Sequence, residues 1–93
     1  MLKEPETEGF EISLEYLQYA WHKKSYTAKG YLYMLVVILS QDAPLEISNV
    51  TEFCREWEIE RKSFYKAKAT LIKQGRIEVK QRDSSMFLTQ LRQ

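Results

Sequence analysis

The fold is decided by residues 49–77, which read NVTEFCREWEIERKSFYKAKATLIKQGRI. Asn49 opens the stretch with a side-chain acceptor, and Glu52 follows three residues later, the spacing at which the two cap a helix start reciprocally. Three apolar residues lie three, four and seven positions after Val50, namely Phe53, Cys54 and Trp57. Because these offsets share one helix face, the sequence predicts a capped helix that begins after Asn49.

A second helix is predicted after a short interruption. Residues 58–60 break the apolar pattern, and residues 61–74 resume it with Phe64, Ala67 and Leu71 on one face. Gly75 then ends the helix, because glycine tolerates a left-handed backbone. The two helices are therefore expected to be joined by a tight turn.

The residues after Gly75 change from a helical period to a period of two. Ile77 and Val79 alternate with charged residues, residues 81–85 are polar, and residues 86–91 again resemble a strand. This pattern predicts a β-hairpin whose turn spans residues 81–85.

On the N-terminal side, Ser13 is expected to cap a first helix that extends to about Lys24. Residues 1–9 contain three glutamates, a proline and a glycine, with little to bury, so they are predicted to form a flexible lead-in. Residues 10–93 then form a single domain.

A long apolar helix is predicted next, over residues 28–41, with either Ser25 or Thr27 as its cap. The β-branched residues at 36–38 would also suit a buried strand, but the length of the apolar pattern favours a helix. A helix that is apolar nearly all round is usually central, covered by its neighbours. Residues 45–47 alternate and predict a brief edge strand.

Composition limits the classes of protein to which the chain can belong. Its 93 residues are 44% hydrophobic and 29% charged, which fits one compact domain. The net charge is only +1, but residues 1–54 carry four basic and eight acidic side chains, whereas residues 55–93 carry ten and five. The longest apolar run has nine residues, against about 20 for a membrane span. The acidic N-terminal stretch does not resemble a secretory signal, so a cytoplasmic location is expected.

Catalytic and metal-binding motifs are absent from the sequence. His22 has no adjacent nucleophile, Cys54 lies on an apolar helix face, and the glycines at positions 9, 30 and 75 form no phosphate loop. One cysteine and one histidine cannot complete a four-ligand zinc site. We therefore expect no enzyme, no cofactor, no metal and no small-molecule substrate.

The predicted order of elements resembles the winged helix-turn-helix DNA-binding domain of bacterial regulators and replication proteins. The resemblance covers about two thirds of the chain, and its ending LIKQGRI, residues 71–77, is similar to the leucine, charged residues, glycine and aliphatic residue that lead into the wing. It implies a mainly α fold with a small β-hairpin, comprising three to four helices plus the wing. The helix from Arg61 would be the recognition helix, and residues 81–85 the wing tip. Glu60 takes the cap position, where Ser, Thr or Asp is more usual.

The helix over residues 61–74 carries a basic face opposite its apolar face. At about 100° per residue, Lys62, Lys66 and Lys73 align with the small Ala69 between them, and no acidic residue interrupts the helix. Lysines contact phosphates or guanine edges, and hydroxyls donate to phosphates or bases. Together with the hairpin, the predicted DNA-binding residues are Arg61, Lys62, Ser63, Tyr65, Lys66, Ala69, Thr70, Lys73, Lys80 and Arg82. Because the preceding helix crosses the DNA backbone in such domains, weaker phosphate contacts are predicted for Ser48, Asn49, Thr51, Arg55 and Arg76.

Two functional hypotheses remain open. In the first, the chain binds double-stranded DNA, and the family resemblance suggests transcription regulation or replication initiation. In the second, the winged helix is a scaffold for protein–protein interaction, supported by the aromatic residues Tyr16, Tyr19, Trp21, Tyr26, Tyr31 and Tyr33. Either hypothesis allows homodimerisation or a protein partner through the N-terminal helix. The simplest alternative is that the lysine row is a solvated helix face and that the hairpin cations only keep an edge soluble.

Overall fold

The computed structural model describes residues 14–91, which form four helices and one three-stranded antiparallel sheet. The predicted cap Ser13 and the predicted lead-in, residues 1–9, lie outside the described residues. The elements follow the predicted order and are α1 (Leu14–His22), α2 (Ala28–Leu39), β1 (Leu45–Ile47), α3 (Val50–Trp57), α4 (Arg61–Lys73), β2 (Ile77–Arg82) and β3 (Ser85–Gln90).

The sheet has the strand order β1-β3-β2, so the C-terminal strand of the hairpin is central. Leu88 of β3 faces Leu45 of β1 on one side and Val79 of β2 on the other. The prediction of a mainly α fold with a small β-hairpin was therefore too loose, because the fold is mixed α/β. In a hairpin of β2 and β3 alone, one edge of β3 would have unpaired backbone N–H and C=O groups. The short strand β1 pairs with that edge.

The hairpin turn is shorter than predicted. Strand β2 continues through Arg82 and β3 begins at Ser85, which leaves only Asp83 and Ser84 in the turn. Asp83 has φ 57°, the left-handed conformation that two-residue hairpin turns require and that Asp tolerates. Residues 81–85 are polar because this end of the sheet is largely exposed, so the predicted five-residue turn was wrong.

The helix ends follow the local chemistry of the sequence. The Asn49 Oδ1 accepts a hydrogen bond from the Glu52 N–H at 3.0 Å, which confirms the predicted cap of α3. Thr27 caps α2, because its Oγ1 accepts a hydrogen bond from the Gly30 N–H at 3.1 Å. Of the two predicted caps, Ser25 and Thr27, the helix therefore uses Thr27. Helix α2 ends at Leu39, two residues earlier than predicted.

Helix α2 runs through the centre of the fold. It packs against α1, α4 and β3, as a helix apolar nearly all round must. The core cluster comprises Leu17, Tyr31, Leu32, Leu35, Val36, Ile47, Phe53, Cys54, Ile59, Phe64, Ala67, Leu71, Ile77, Met86 and Leu88. None of the helices within residues 14–91 combines the length and the hydropathy that crossing a bilayer requires.

Candidate nucleic-acid interface

Helix α4 has two opposite faces, and the core determines which one is exposed. Phe64, Ala67 and Leu71 are buried against the rest of the domain, as the sequence predicts. The opposite side presents its residues to solvent, and these are Lys62, Lys66, Ala69 and Lys73. The three lysines therefore form one row on a surface that nothing in the described chain covers.

The aliphatic hydroxyl groups on α4, those of Ser63 and Thr70, are already engaged in hydrogen bonds. The Thr70 Oγ1 donates to the Lys66 backbone carbonyl at 3.0 Å, and the Ser63 Oγ donates to the Glu60 Oε1 at 3.3 Å. Each hydroxyl has only one hydrogen, so neither donates to a phosphate or base without first giving up its present partner. Of the predicted α4 residues, the exposed cations Arg61, Lys62, Lys66 and Lys73 are thus better placed than the two hydroxyls.

An aromatic residue lies beside the lysine row. The ring of Tyr65 is 41% exposed and packs edge-on against Phe64, with centroids 5.3 Å apart. The Lys68 Nζ lies 5.6 Å from the Tyr65 ring centroid. Lys68 was absent from the predicted set, although its position three residues after Tyr65 on a helix puts the two side chains side by side. It extends the positive charge of α4 beyond the lysine row.

The hairpin cations Lys80 and Arg82 are both exposed on the face of the sheet that points away from the core. The Arg82 guanidinium carbon is 5.3 Å from the ring centroid of Phe87, and Lys80 pairs with Phe87 across the strands. Phe87 therefore holds Arg82 over the sheet. On the other side, Phe87 pairs with Glu46, so this basic surface borders a carboxylate at β1.

The weaker predicted contacts are scattered rather than clustered. The Arg76 guanidinium lies 5.5 Å from the Tyr33 ring centroid, next to the junction of α4 and β2 rather than at the hairpin turn. At the start of α3, a cavity of about 160 Å³ is lined by Glu46, Ile47, Ser48, Asn49, Glu52, Phe53 and Glu56. Its three carboxylates repel phosphate, which makes the neighbourhood of Ser48, Asn49 and Thr51 electrostatically less favourable than α4. Arg55 is exposed on α3 three residues after Glu52, a spacing at which side chains on a helix are neighbours.

The turn between α3 and α4 is held by α1 and α2, which the sequence does not suggest. The Trp21 Nε1 donates to the Glu58 carbonyl at 2.9 Å, and the His22 Nε2 contacts the Glu58 carboxylate. The Tyr31 hydroxyl donates to the Trp57 carbonyl at 2.7 Å. We call these contacts the turn clamp. Glu58 has φ 59°, a left-handed conformation that a non-glycine residue adopts only when its surroundings hold it there.

Two aromatic rings form the base of the turn clamp. Trp21 stacks on Tyr31 with ring centroids 4.5 Å apart and planes 3° apart. Burial, and to a lesser extent the nearby Glu58 charge, raise the pKa of Tyr31 to about 12, so its hydroxyl remains a donor through the neutral range. The clamp therefore fixes the direction in which α4 leaves the turn.

The single cysteine does not add a reactive group to this surface. Cys54 is 4% exposed on the inner face of α3. Burial raises the pKa of its thiol, an effect that the Arg61 charge partly opposes, and a raised pKa lowers the fraction of nucleophilic thiolate.

Comparisons of the chain with models of known protein families, with curated proteins and with solved structures find no significant match.

Proposed function

We propose that this protein binds double-stranded DNA as a winged helix-turn-helix. In this proposal α3 and α4 are the helix-turn-helix pair, α4 enters the major groove, and the β2–β3 hairpin is the wing. The element order from α2 to β3 and the strand order β1-β3-β2 are consistent with such a layout. The family resemblance suggests transcription regulation or replication initiation as the setting, and the N-terminal sequence suggests a cytoplasmic location.

One observation carries the proposal, which is the exposed lysine row on α4. Lys62 and Lys73 are eleven residues apart, or roughly 16 Å at 1.5 Å per residue. No acidic side chain lies between Arg61 and Lys73 to oppose phosphate. Ala69 leaves the middle of the row free of bulk, so the helix backbone can approach base edges closely. The major groove of B-DNA, about 12 Å wide, admits a helix of this kind.

The positions of the acidic residues indicate which part of α4 approaches DNA. Glu58 and Glu60 lie at the N-terminal end of α4, and both are exposed. They repel phosphates, so the strongest contacts are expected from Lys66 and Lys73, farther along the helix. Lys80 and Arg82 then brace the adjacent backbone from the wing.

Phosphate contacts of this kind predict a steep dependence on salt. Lys62, Lys66, Lys73, Lys80 and Arg82 are five exposed cations. If all five displace counterions, the logarithm of the binding constant falls with the logarithm of salt concentration with a slope of about −4 to −5.

The experiment is fluorescence anisotropy of a labelled random duplex titrated with the 93-residue protein over a series of salt concentrations. The test variant combines Lys62→Glu with Lys66→Glu. The matched control combines Lys24→Glu with Lys29→Glu, which changes the net charge equally but lies outside α4 and the hairpin. We expect the test variant to lose binding and the control to retain most of it.

Two results would overturn the proposal. One is a folded parent protein that does not bind duplex at the lowest salt concentration. The other is equal loss in the test variant and the control, which would mean that only overall charge matters and that α4 has no special role.

A protein-interaction module is the second candidate function. It is favoured by Tyr16 and Tyr19 on α1, which are 57% and 59% exposed. Tyrosine is enriched at protein–protein interfaces, so these two exposed side chains favour a contact surface on α1. If the duplex titration fails, α1 becomes the surface to use in a search for a protein partner.

A further inference from the structure

The exposed face of α1 has an unusual arrangement of charges and rings. Leu17 and Ala20 are buried on the inner side of the helix. The outer side therefore carries the five exposed residues of this helix and its end, which are Glu15, Tyr16, Tyr19, His22 and Lys23. Placed at about 100° per residue, all five fall within roughly 60° of the direction of Tyr19.

This face is nearly symmetric about Tyr19. Glu15 lies four residues before it and Lys23 four residues after it, so an acid and a base are equally distant from the centre. Tyr16 and His22 lie three residues before and after it. In a second helix that runs in the opposite direction, Lys23 therefore takes the position of Glu15, and His22 takes the position of Tyr16.

From this pattern we infer that two copies of the chain associate through α1, as an antiparallel helix pair with its two-fold axis at Tyr19. A two-fold interface brings each residue against the residue at the mirrored position of the partner. Glu15 of each copy then faces Lys23 of the other copy, which gives two ion pairs, and the two Tyr19 rings meet at the axis. A parallel pair would instead set like charges against each other.

Contacts within one copy prepare this face for pairing. The rings of Tyr16 and Tyr19 have centroids 6.4 Å apart, so they present one continuous aromatic surface. The Lys23 Nζ lies 5.7 Å from the Tyr19 ring centroid, which holds the cation on the same face. The contact of His22 with Glu58 keeps the imidazole at the edge of the face and leaves the centre to the tyrosines.

The size of the face determines how strong the association is. A helix of nine residues is roughly 13 Å long and offers far less than the roughly 800 Å² per partner of a standard interface. The dimer is therefore weak and forms at micromolar or higher concentration. It depends on salt, because its ion pairs lie at the rim of the contact. This inference does not rest on DNA binding.

The test is sedimentation equilibrium of the full chain from about 1 µM to 1 mM at low salt concentration. Glu15→Lys and Lys23→Glu each set like charges opposite each other at both symmetric contacts. We expect each single reversal to weaken the dimer about tenfold or more. The double variant restores opposite charges and should return the dissociation constant to within about threefold of the parent value.

The double variant also separates association from folding. Both reversals oppose the helix macrodipole, since they put a cation near the start of α1 and an anion near its end. Their effects on thermal unfolding should therefore add, whereas their effects on association should cancel. Lys24→Glu is the matched control, because Lys24 follows the helix and lines a surface pocket with Trp21, Tyr26 and Ala28, and it should leave the dimer nearly unchanged.

Each other outcome overturns the inference. A monomer at every concentration rejects the dimer. A dimer that neither single reversal weakens uses another surface. A double variant that is weaker than both single variants shows that the two charges do not face each other. The duplex titration measures DNA binding and the sedimentation measures self-association, so failure of DNA binding is seen independently of all three.

Discussion

Replacing Tyr31 by phenylalanine is expected to destabilise the protein at neutral pH and to stabilise it at high pH. The Tyr31 side chain is fully buried, and its hydroxyl donates to the Trp57 carbonyl at 2.7 Å. Phenylalanine keeps the ring and its stacking on Trp21 but removes the donor. The loss of one such hydrogen bond costs about 1 kcal/mol at pH 7.

The ionisation of Tyr31 acts in the opposite direction. Burial first, and the Glu58 charge second, raise the pKa of Tyr31 from 10.0 to about 12. Below pH 10 the hydroxyl is protonated in both the folded and the unfolded chain, and its contribution to stability is complete. As the pH rises through 10 and beyond 12, the unfolded chain loses this proton first, and the folded state loses about 2.7 kcal/mol in total. About half of that loss is reached by pH 11.

Phenylalanine has no proton to lose, so the two stability curves should cross between pH 10 and pH 11. The assay is urea unfolding followed by far-UV circular dichroism from pH 7 to pH 11, on the parent and on Tyr31→Phe. Tyr19→Phe removes the hydroxyl of an exposed tyrosine and shows how much of the change comes from losing any tyrosine hydroxyl. A difference between parent and variant that stays constant, or that grows with pH, would refute the reasoning.

Three further predictions concern single side chains. Glu60→Ser should raise the free energy of unfolding by about 1 kcal/mol, or roughly 4–8 °C in thermal unfolding, because Glu60 is the N-cap of α4 but makes no side-chain cap hydrogen bond. Asn49→Ala should lower the free energy of unfolding by about 1 kcal/mol in the same assay, since the Glu52 N–H loses its acceptor, and Asn49→Asp should retain most of that stability. A maleimide should label Cys54 only as fast as the chain opens, because the thiol is 4% exposed and burial raises its pKa. A labelling rate that does not fall when mutations elsewhere stabilise the protein would contradict this.

Much of the fold could be predicted from local signals in the sequence. The cap at Asn49, the apolar spacing along α4 and the left-handed φ of 73° at Gly75 all depend on residues within one or two helical turns. The same spacing determines which side of α4 carries the lysine row, since Phe64, Ala67 and Leu71 fix the buried side. Such features are local, so the sequence alone determines them.

Other features depend on residues far apart in the sequence and could not be predicted. The turn clamp joins Trp21 and His22 of α1 to Glu58, some 36 residues later, and no spacing rule connects them. The length of the hairpin turn was mistaken because polar residues at an exposed sheet end look like turn residues. Arg76 was grouped with the weaker phosphate contacts, and its position over the Tyr33 ring depends on how α4 and β2 meet α2.

The strand order has a consequence for how the chain folds. Within residues 14–91, β1 pairs only with β3, and Leu45 and its partner Leu88 are 43 residues apart, with two helices and β2 between them. Closing so long a loop is slow compared with forming a helix or a hairpin. We therefore expect β1 to dock late, after α2, α4 and the hairpin have come together. In the transition state for folding, substitutions at Leu45 should then have small φ-values, whereas substitutions at Leu35 and Leu71 should have larger ones.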